Sequence, residues 1–266
     1  MKLFAALLLC ALVSFCATAR AEDSSLLYRA TVIVTGEREE TRLPGIAECF
    51  DQAMAKVSGN PGIAALPGFA VWRARARSMA WSYTLHDRLF GRPIHDEQGS
   101  RDRPFDLTVQ FDEVMSNKVL AALGEKPWPL PRPKLLVLIG IKDMVRNYVL
   151  VDGAAQGQDQ RAAFANASER FAVPILFAKP AGLQGLSYDA VMTADTLSLL
   201  DVAHRLGADA VLTGHLDWSA KDHGWIGTWR LDGGAPWSIT GVNFDAAFRD
   251  AIGGAAFRLS GHQAKG

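Results

Sequence analysis

Tyr28, Ala30, Val32 and Val34 alternate with Arg29, Thr31, Ile33 and Thr35, a period of two that predicts a half-buried strand over residues 27–35. Beyond Gly36 the period changes. Leu43, Ile46, Ala47, Phe50, Ala53, Met54 and Val57 recur at helical spacing as far as Gly59, which predicts one long helix with a single apolar stripe. The stretch 60–78 is turn-rich at "GNPGIAALPG" and basic at "VWRARARSMA", a short helix whose Arg73, Arg75 and Arg77 are expected to face water. Strands over 81–90 and 105–111 follow, joined by the polar loop "GRPIHDEQGSRDRP". A helix over 113–123, stopped by Gly124, completes a small α+β unit.

Pro127, Pro129, Pro131 and Pro133 come next and hold the chain extended, so the segment reads as a linker. After it, 135–141 is an unbroken apolar run, the mark of a strand covered on both faces. A second strand is expected over 146–151, then a helix over 159–171 with Ala163, Ala167 and Phe171 on one face. "VPILFA" reads as another buried strand. Leu197, Leu200, Ala203, His204 and Leu206 predict a further helix, capped near Thr193 or Asp195 and ended by Gly207. Strand, helix, strand, helix, strand is the order of an α/β layer with partly parallel strands.

Between 209 and 243 the period is two again. Ala210, Leu212, Leu216 and Trp218 share one face, and Val211, Thr213, His215 and Asp217 the other; Trp225, Trp229 and Leu231 oppose Ile226, Thr228 and Arg230. "SAKDHG" and "DGGAP" are turns, 237–242 is a third strand, and 244–259 a closing helix. The tryptophans are therefore expected on the buried side of an antiparallel meander. Its polar surface is made of His215, Asp217, Thr228 and Arg230, with Asp217 or His215 pairing across strands with Arg230. A metal site on His215, Asp217 and His223 lacks the tight ligand spacing of zinc sites, so neither metal nor cofactor is expected.

Leu3 through Phe15 form an apolar run behind Lys2, and Ala19-Arg20-Ala21 supplies small residues for cleavage, the pattern of a secretory leader cut after Ala21. Phe15 before Cys16 and Leu9 before Cys10 disfavour a lipoprotein, and no later run is long enough to span a membrane. The expected organisation is a leader over 1–21, an α+β domain over 22–125, a Pro-rich linker over 126–133, an α/β domain over 134–260 and a flexible tail over 261–266. Removing the leader takes Lys2 and Arg20 from 28 basic residues and nothing from 28 acidic ones. A net charge near −2 offers no electrostatic reason to seek nucleic acid or anionic lipid. Of three cysteines only Cys49 survives cleavage, so no internal disulfide forms, and its place beside the helical stripe reads as structural. There is no G-x-S-x-G, P-loop, G-x-G-x-x-G or H-E-x-x-H motif, and Asp106 and Asp112, flanking a strand, are at an unremarkable spacing for an acid pair.

"YRATVIVTG", "ECFDQAMAKVSGNP", "RPKLLVLIGIKD", "ERFAVPILFA", "GADAVLTGHL" and "GWIGTWRL" together resemble an uncharacterised family of exported proteobacterial proteins, the domain of unknown function numbered two-zero-six-six. From "RPKLLVLIG" to the last helix, the order is also similar to the small α/β domain of the Tol-system propeller protein and of lipoprotein activators of peptidoglycan synthases. That resemblance implies binding to protein partners and transfers no catalytic residue. The expected function is thus a non-enzymatic periplasmic accessory or scaffolding protein that contacts an envelope protein. The alternatives are an envelope hydrolase or transferase with a site built from scattered acids and histidines, and a small-ligand binder using an inter-domain cleft.

Overall fold

The computed structural model describes residues 24–91, 102–180 and 185–263. The expected leader, most of the polar loop (92–101) and the last three residues of the tail (264–266) lie outside them. The chain forms two compact units, one running to Leu130 and the other from Pro131, with Gly59–Pro61 grouped with the second.

The first unit is built from β1 (Arg29–Thr35), α1 (Glu39–Ser58), a 3-10 turn (Ile63–Ala65), the short helices α2 (Phe69–Arg73) and α3 (Ala76–Met79), β2 (Ala80–Asp87), β3 (Pro104–Phe111) and α4 (Glu113–Ala122). Its sheet is antiparallel in the order β1-β3-β2. The alternation read from the sequence is kept: Ala30, Val32 and Val34 are buried, and Arg29, Thr31, Ile33 and Thr35 are exposed. The stripe of α1 lies on that buried face, with Ile46, Cys49, Phe50, Ala53, Met54 and Val57 fully enclosed. Burying each larger apolar side chain is worth roughly 1.5–3 kcal/mol. Helix and sheet approach so closely that a Cβ on Gly45 would lie 2.5 Å from Cγ1 of Val34. Phe50 anchors the stripe, its ring 5.6 Å from those of Phe69 and Phe111. The basic stretch forms two short helices rather than one, and Arg73, Arg75 and Arg77 are exposed as expected.

The second unit holds β4 (Leu135–Lys142), β5 (Asn147–Val149), α5 (Gln158–Phe171), β6 (Ile175–Phe177), α6 (Thr196–Arg205), β7 (Ala210–Ser219), β8 (Gly224–Leu231), β9 (Trp237–Val242) and α7 (Phe244–Leu259). The sheet runs β5-β4-β7-β8-β9. β4 is parallel to β7 along its whole length. Its other edge is shared by β6, parallel at residues 135–137, and β5, antiparallel at 140–142. β7, β8 and β9 form the antiparallel meander, closed by α7. The protein therefore combines an α+β unit with an α/β unit that ends in a Trp-rich meander and a helix.

Helices cover both faces of the second sheet, as the unbroken run of β4 requires: all of its first seven residues are buried. α6 lies against Leu136, Leu138 and Val211 through Ala203, Leu199 and Val202. On the other face α5 and α7 pack together, Phe164 against Phe248 at 4.2 Å, with Phe248 next to Trp229. Asp195 and Asn243 cap α6 and α7 by accepting from the N–H groups of Ser198 and Ala246.

Three expectations need correction. Of the meander tryptophans only Trp229 is fully buried. Trp218 is 36% exposed and packs edge-on against half-buried Trp225, the two forming a rung next to the turn of the hairpin. β6 is half-buried rather than enclosed, being only three residues long at the outer edge of β4. In α6, Leu197 and Leu206 point to solvent and His204 is exposed; packing is made by Leu199, Leu200, Val202 and Ala203.

Candidate functional site

Register decides which polar side chains of the meander meet. His215 lies opposite Thr228, Thr213 opposite Arg230, and Asp217 opposite Ile226. Arg230 therefore does not pair with His215 or Asp217. Its guanidinium instead donates to the carbonyl of Met192 at 3.4 Å, while its Nε is buried without a partner. Thr228 is half-buried on the same face, and His223 sits in the exposed tip beyond the last rung, at a positive φ of 48°. The four residues expected to form one polar surface divide into two places: His215 with Asp217 and, across the strands, Thr228, and Arg230 in a separate small cleft.

What organises the first place is Tyr188, from the segment between β6 and α6. Its ring stacks on the imidazole of His215, with centroids 4.2 Å apart and planes 13° from parallel. Its hydroxyl donates to Oδ1 of Asp217 at 2.5 Å. The Nε2 of His215 lies 2.8 Å from the Tyr188 carbonyl oxygen and must carry the hydrogen of that bond. Gly140, the register partner of His215 on β4, makes room: a Cβ there would lie 2.8 Å from Cδ2 of Tyr188 and 3.0 Å from Cδ2 of His215. The cluster stands where the parallel strands β4 and β7 end, with β6 and β7 on opposite sides of β4. In α/β sheets that is the topological switch point, where ligands usually enter. Here the chain's own tyrosine fills it.

Burial, and then the hydrogen bond to Asp217, raise the Tyr188 phenol above its ordinary pKa, so it stays protonated and donating. The cluster thus holds a proton donor already committed to a carboxylate and an imidazole nitrogen committed to a backbone carbonyl. Its chemistry is that of a latch. Sequence reasoning placed His215 and Asp217 on one face but missed Tyr188. The one available signal is the glycine at 140 in an otherwise continuous run of large apolar residues, since a gap in a buried strand marks a close neighbour.

The cleft of Arg230 is lined by Met192, Thr196, Leu199, Val211, Thr213 and Gly233, with room for about one water. The other candidate groups have structural partners. Asp106 pairs with Arg88 at 3.5 Å, and Asp112 caps α4 through the N–H of Met115 at 2.7 Å. The Cys49 thiol reaches toward the carbonyls of Ala30 and Leu107, and burial pushes its pKa up to about 12. Among the described residues, no group of three or more His, Cys, Asp or Glu side chains is placed to hold a metal ion. Nor is any described helix long and apolar enough to cross a membrane.

Taken as a class, the molecule is a mixed α+β and α/β protein with a tyrosine latch at the end of its parallel strands. Residues 21–129 match the family described as a domain of unknown function (DUF8605). An uncharacterised family is therefore what the chain resembles, over its N-terminal unit rather than over most of its length. No curated protein and no solved structure matches the chain.

Proposed function

We propose that this protein is a non-enzymatic accessory or scaffolding component of the cell envelope, exported to the periplasm and working through contact with another protein. One observation carries the reading. The β4–β5 hairpin holds Met144 and Val145 at its tip, 80% and 87% exposed. The turn that presents them is fixed: Oδ1 of Asp143 accepts from the N–H groups of Val145 at 2.8 Å and Arg146 at 2.9 Å, and the Asp143 N–H donates to the Arg146 carbonyl. Those bonds hold the Asp143 carboxyl below the usual carboxylate range, so the turn stays tied at neutral pH. Two adjacent large apolar side chains on a rigid tip are suited to a partner's pocket, since little conformational entropy is lost on docking.

The export signal read over residues 1–21 supports the compartment. The resemblance read in the sequence from "RPKLLVLIG" to the last helix, to the small α/β domain of envelope accessory proteins, supports the style of work. The hydrolase or transferase reading has less in its favour, because Asp106, Asp112, His215 and Asp217 are all engaged in structural contacts. A photoreactive residue at position 145, in cells, is the test. A discrete crosslinked band at 145, missing when the probe is moved to Leu197, itself 73% exposed, and lost in Asp143→Ala, is expected. Equal yields at 145 and 197 would remove the observation on which the reading rests.

A further inference from the structure

β2 is an edge strand of the first unit: β3 pairs with one side of it, and no described strand pairs with the other. On the face turned toward the helices, Tyr83 of β2 lies level with buried Val109 of β3. Two guanidinium groups converge on its ring, Arg42 from α1 at 5.1 Å and Arg77 from α3 at 5.5 Å from the centroid. Four other arginines of this unit are paired with acids, Arg38 and Arg73 with Asp102 and Asp51, Arg88 and Arg103 with Asp106 and Asp87, and Arg29 donates to the neutral side chain of Gln110. Neither Arg42 nor Arg77 makes an ion pair with a carboxylate among the described residues, the Arg42 guanidinium donating instead to the backbone carbonyl of Glu37 at 3.2 Å. Two like charges on one ring repel each other, and an anion brought beside that ring would relieve the repulsion. On the opposite face the edge presents Ser82, Thr84 and His86, all exposed, and at its start Trp81 stands 77% exposed at a bulge.

We propose that β2 is a docking edge for an extended acidic segment of another protein, which adds as a strand beside it. Main-chain hydrogen bonds to the open edge supply the pairing, and alternate side chains of the added strand fall on the two faces. Those on the helix side meet Arg42, Tyr83 and Arg77, which select carboxylates. Those on the other side meet hydroxyl groups and an imidazole, which suit small polar residues. The recognised pattern is an acid at every second position, a demand that neither charge nor strand propensity makes alone. This surface is distinct from the hairpin tip of the second unit and does not depend on it.

The test uses the whole protein and labelled synthetic peptides as long as the 8 residues of β2, followed by fluorescence anisotropy. A peptide alternating threonine and glutamate is expected to bind, and salt raised well above the physiological level to weaken it. The double variant Arg42→Ala/Arg77→Ala should lose about tenfold or more in affinity with its melting temperature kept. If that variant melts early, Arg77→Glu alone, on an exposed side chain, gives the same readout. A block peptide with its glutamates adjacent, and an alternating one with prolines in place of the threonines, should both fail. Three results would each overturn the proposal: no binding of the alternating peptide at millimolar concentration, equal binding by the variants, or equal binding of the proline peptide. Crosslinking at position 145 should be unchanged in Arg42→Ala/Arg77→Ala, so the two surfaces stand or fall separately.

Discussion

Trp229 and His215 belong to one hairpin, one rung apart and on opposite faces of it. The face of Trp229 is dry. Its ring is fully enclosed, lying over Gly214 and Gly227, where a Cβ would come within 2.3 Å of it, and packing toward Phe248 of α7. Its one polar atom donates to the Asp250 carboxylate at 3.1 Å. On the opposite face α6 covers the Val211 end, and His215 itself is covered by the segment that carries Tyr188, through one stacked ring and two hydrogen bonds. Trp229 is buried and His215 half-buried, one held by volume and the other by a few oriented contacts. Volume is hard to lose in part; oriented contacts can be removed singly.

The largest effect that this contrast predicts is that of Trp229→Ala. A cavity between Gly214, Gly227 and α7 should destabilise the second unit by roughly 3–5 kcal/mol, read as a drop in denaturant midpoint. A loss below about 1 kcal/mol would show that the dry face is no firmer than the polar one.

His215→Ala should cost less, about 1 kcal/mol, the range of a stacked ring pair. It would cost still less if the ring were exposed, as the alternation of the strand alone suggests. The same denaturant series separates the two cases, and faster proteolysis near Tyr188 should accompany the loss.

Smallest at neutral pH is Tyr188→Phe, which keeps the stacking and removes the bond to Asp217. Its signature lies in alkali. The Tyr188 pKa is raised in the folded state, so above its ordinary value of about 10 the folded chain holds a proton that the unfolded chain has lost. Stability therefore falls as pH rises beyond that value, and the fall continues until the folded phenol itself ionises. Tyr188→Phe should flatten this alkaline limb and leave stability between pH 6 and 8 within about 1 kcal/mol of the parent. An unchanged limb would mean that the latch does not hold.

Much of this contrast was legible in the sequence, and the illegible part has a common physical cause. The faces of β7 and β8 follow from period two, and the burial of β4 from its unbroken run, because both are local patterns. The depth of burial is not local. Trp218 and Trp229 share a face, yet only Trp229 is fully buried, against Phe248 and Asp250 of α7, and how a helix docks on a sheet is not a local property. Tyr188 arrives from a segment without periodicity, far from His215 in the chain. Arg230 lines up with Thr213 instead of Asp217 because the turn length sets the register. In the first unit Arg42, Arg77 and Tyr83 come from three elements, and only the packed fold reveals that two of the chain's cations share one ring.

The place of β4 in its sheet also has a consequence in time. Its lasting neighbour is β7, and the two ends that must meet, the Lys134 N–H and the Asp209 carboxylate, are 75 residues apart. A growing or refolding chain therefore carries the run Leu135 to Ile141 long before the strand that covers its main edge exists. Non-local parallel pairing of this kind forms slowly, and an uncharged β-prone run is most prone to aggregate during such a wait. The run is bracketed by Pro131, Pro133 and Lys134 on one side and by Lys142 and Asp143 on the other. Prolines cannot extend a ladder, and charges oppose stacking of one copy upon another. Replacing these flanks should change little in the melting of the finished protein and much in the yield of refolding, since they guard the chain before its structure exists.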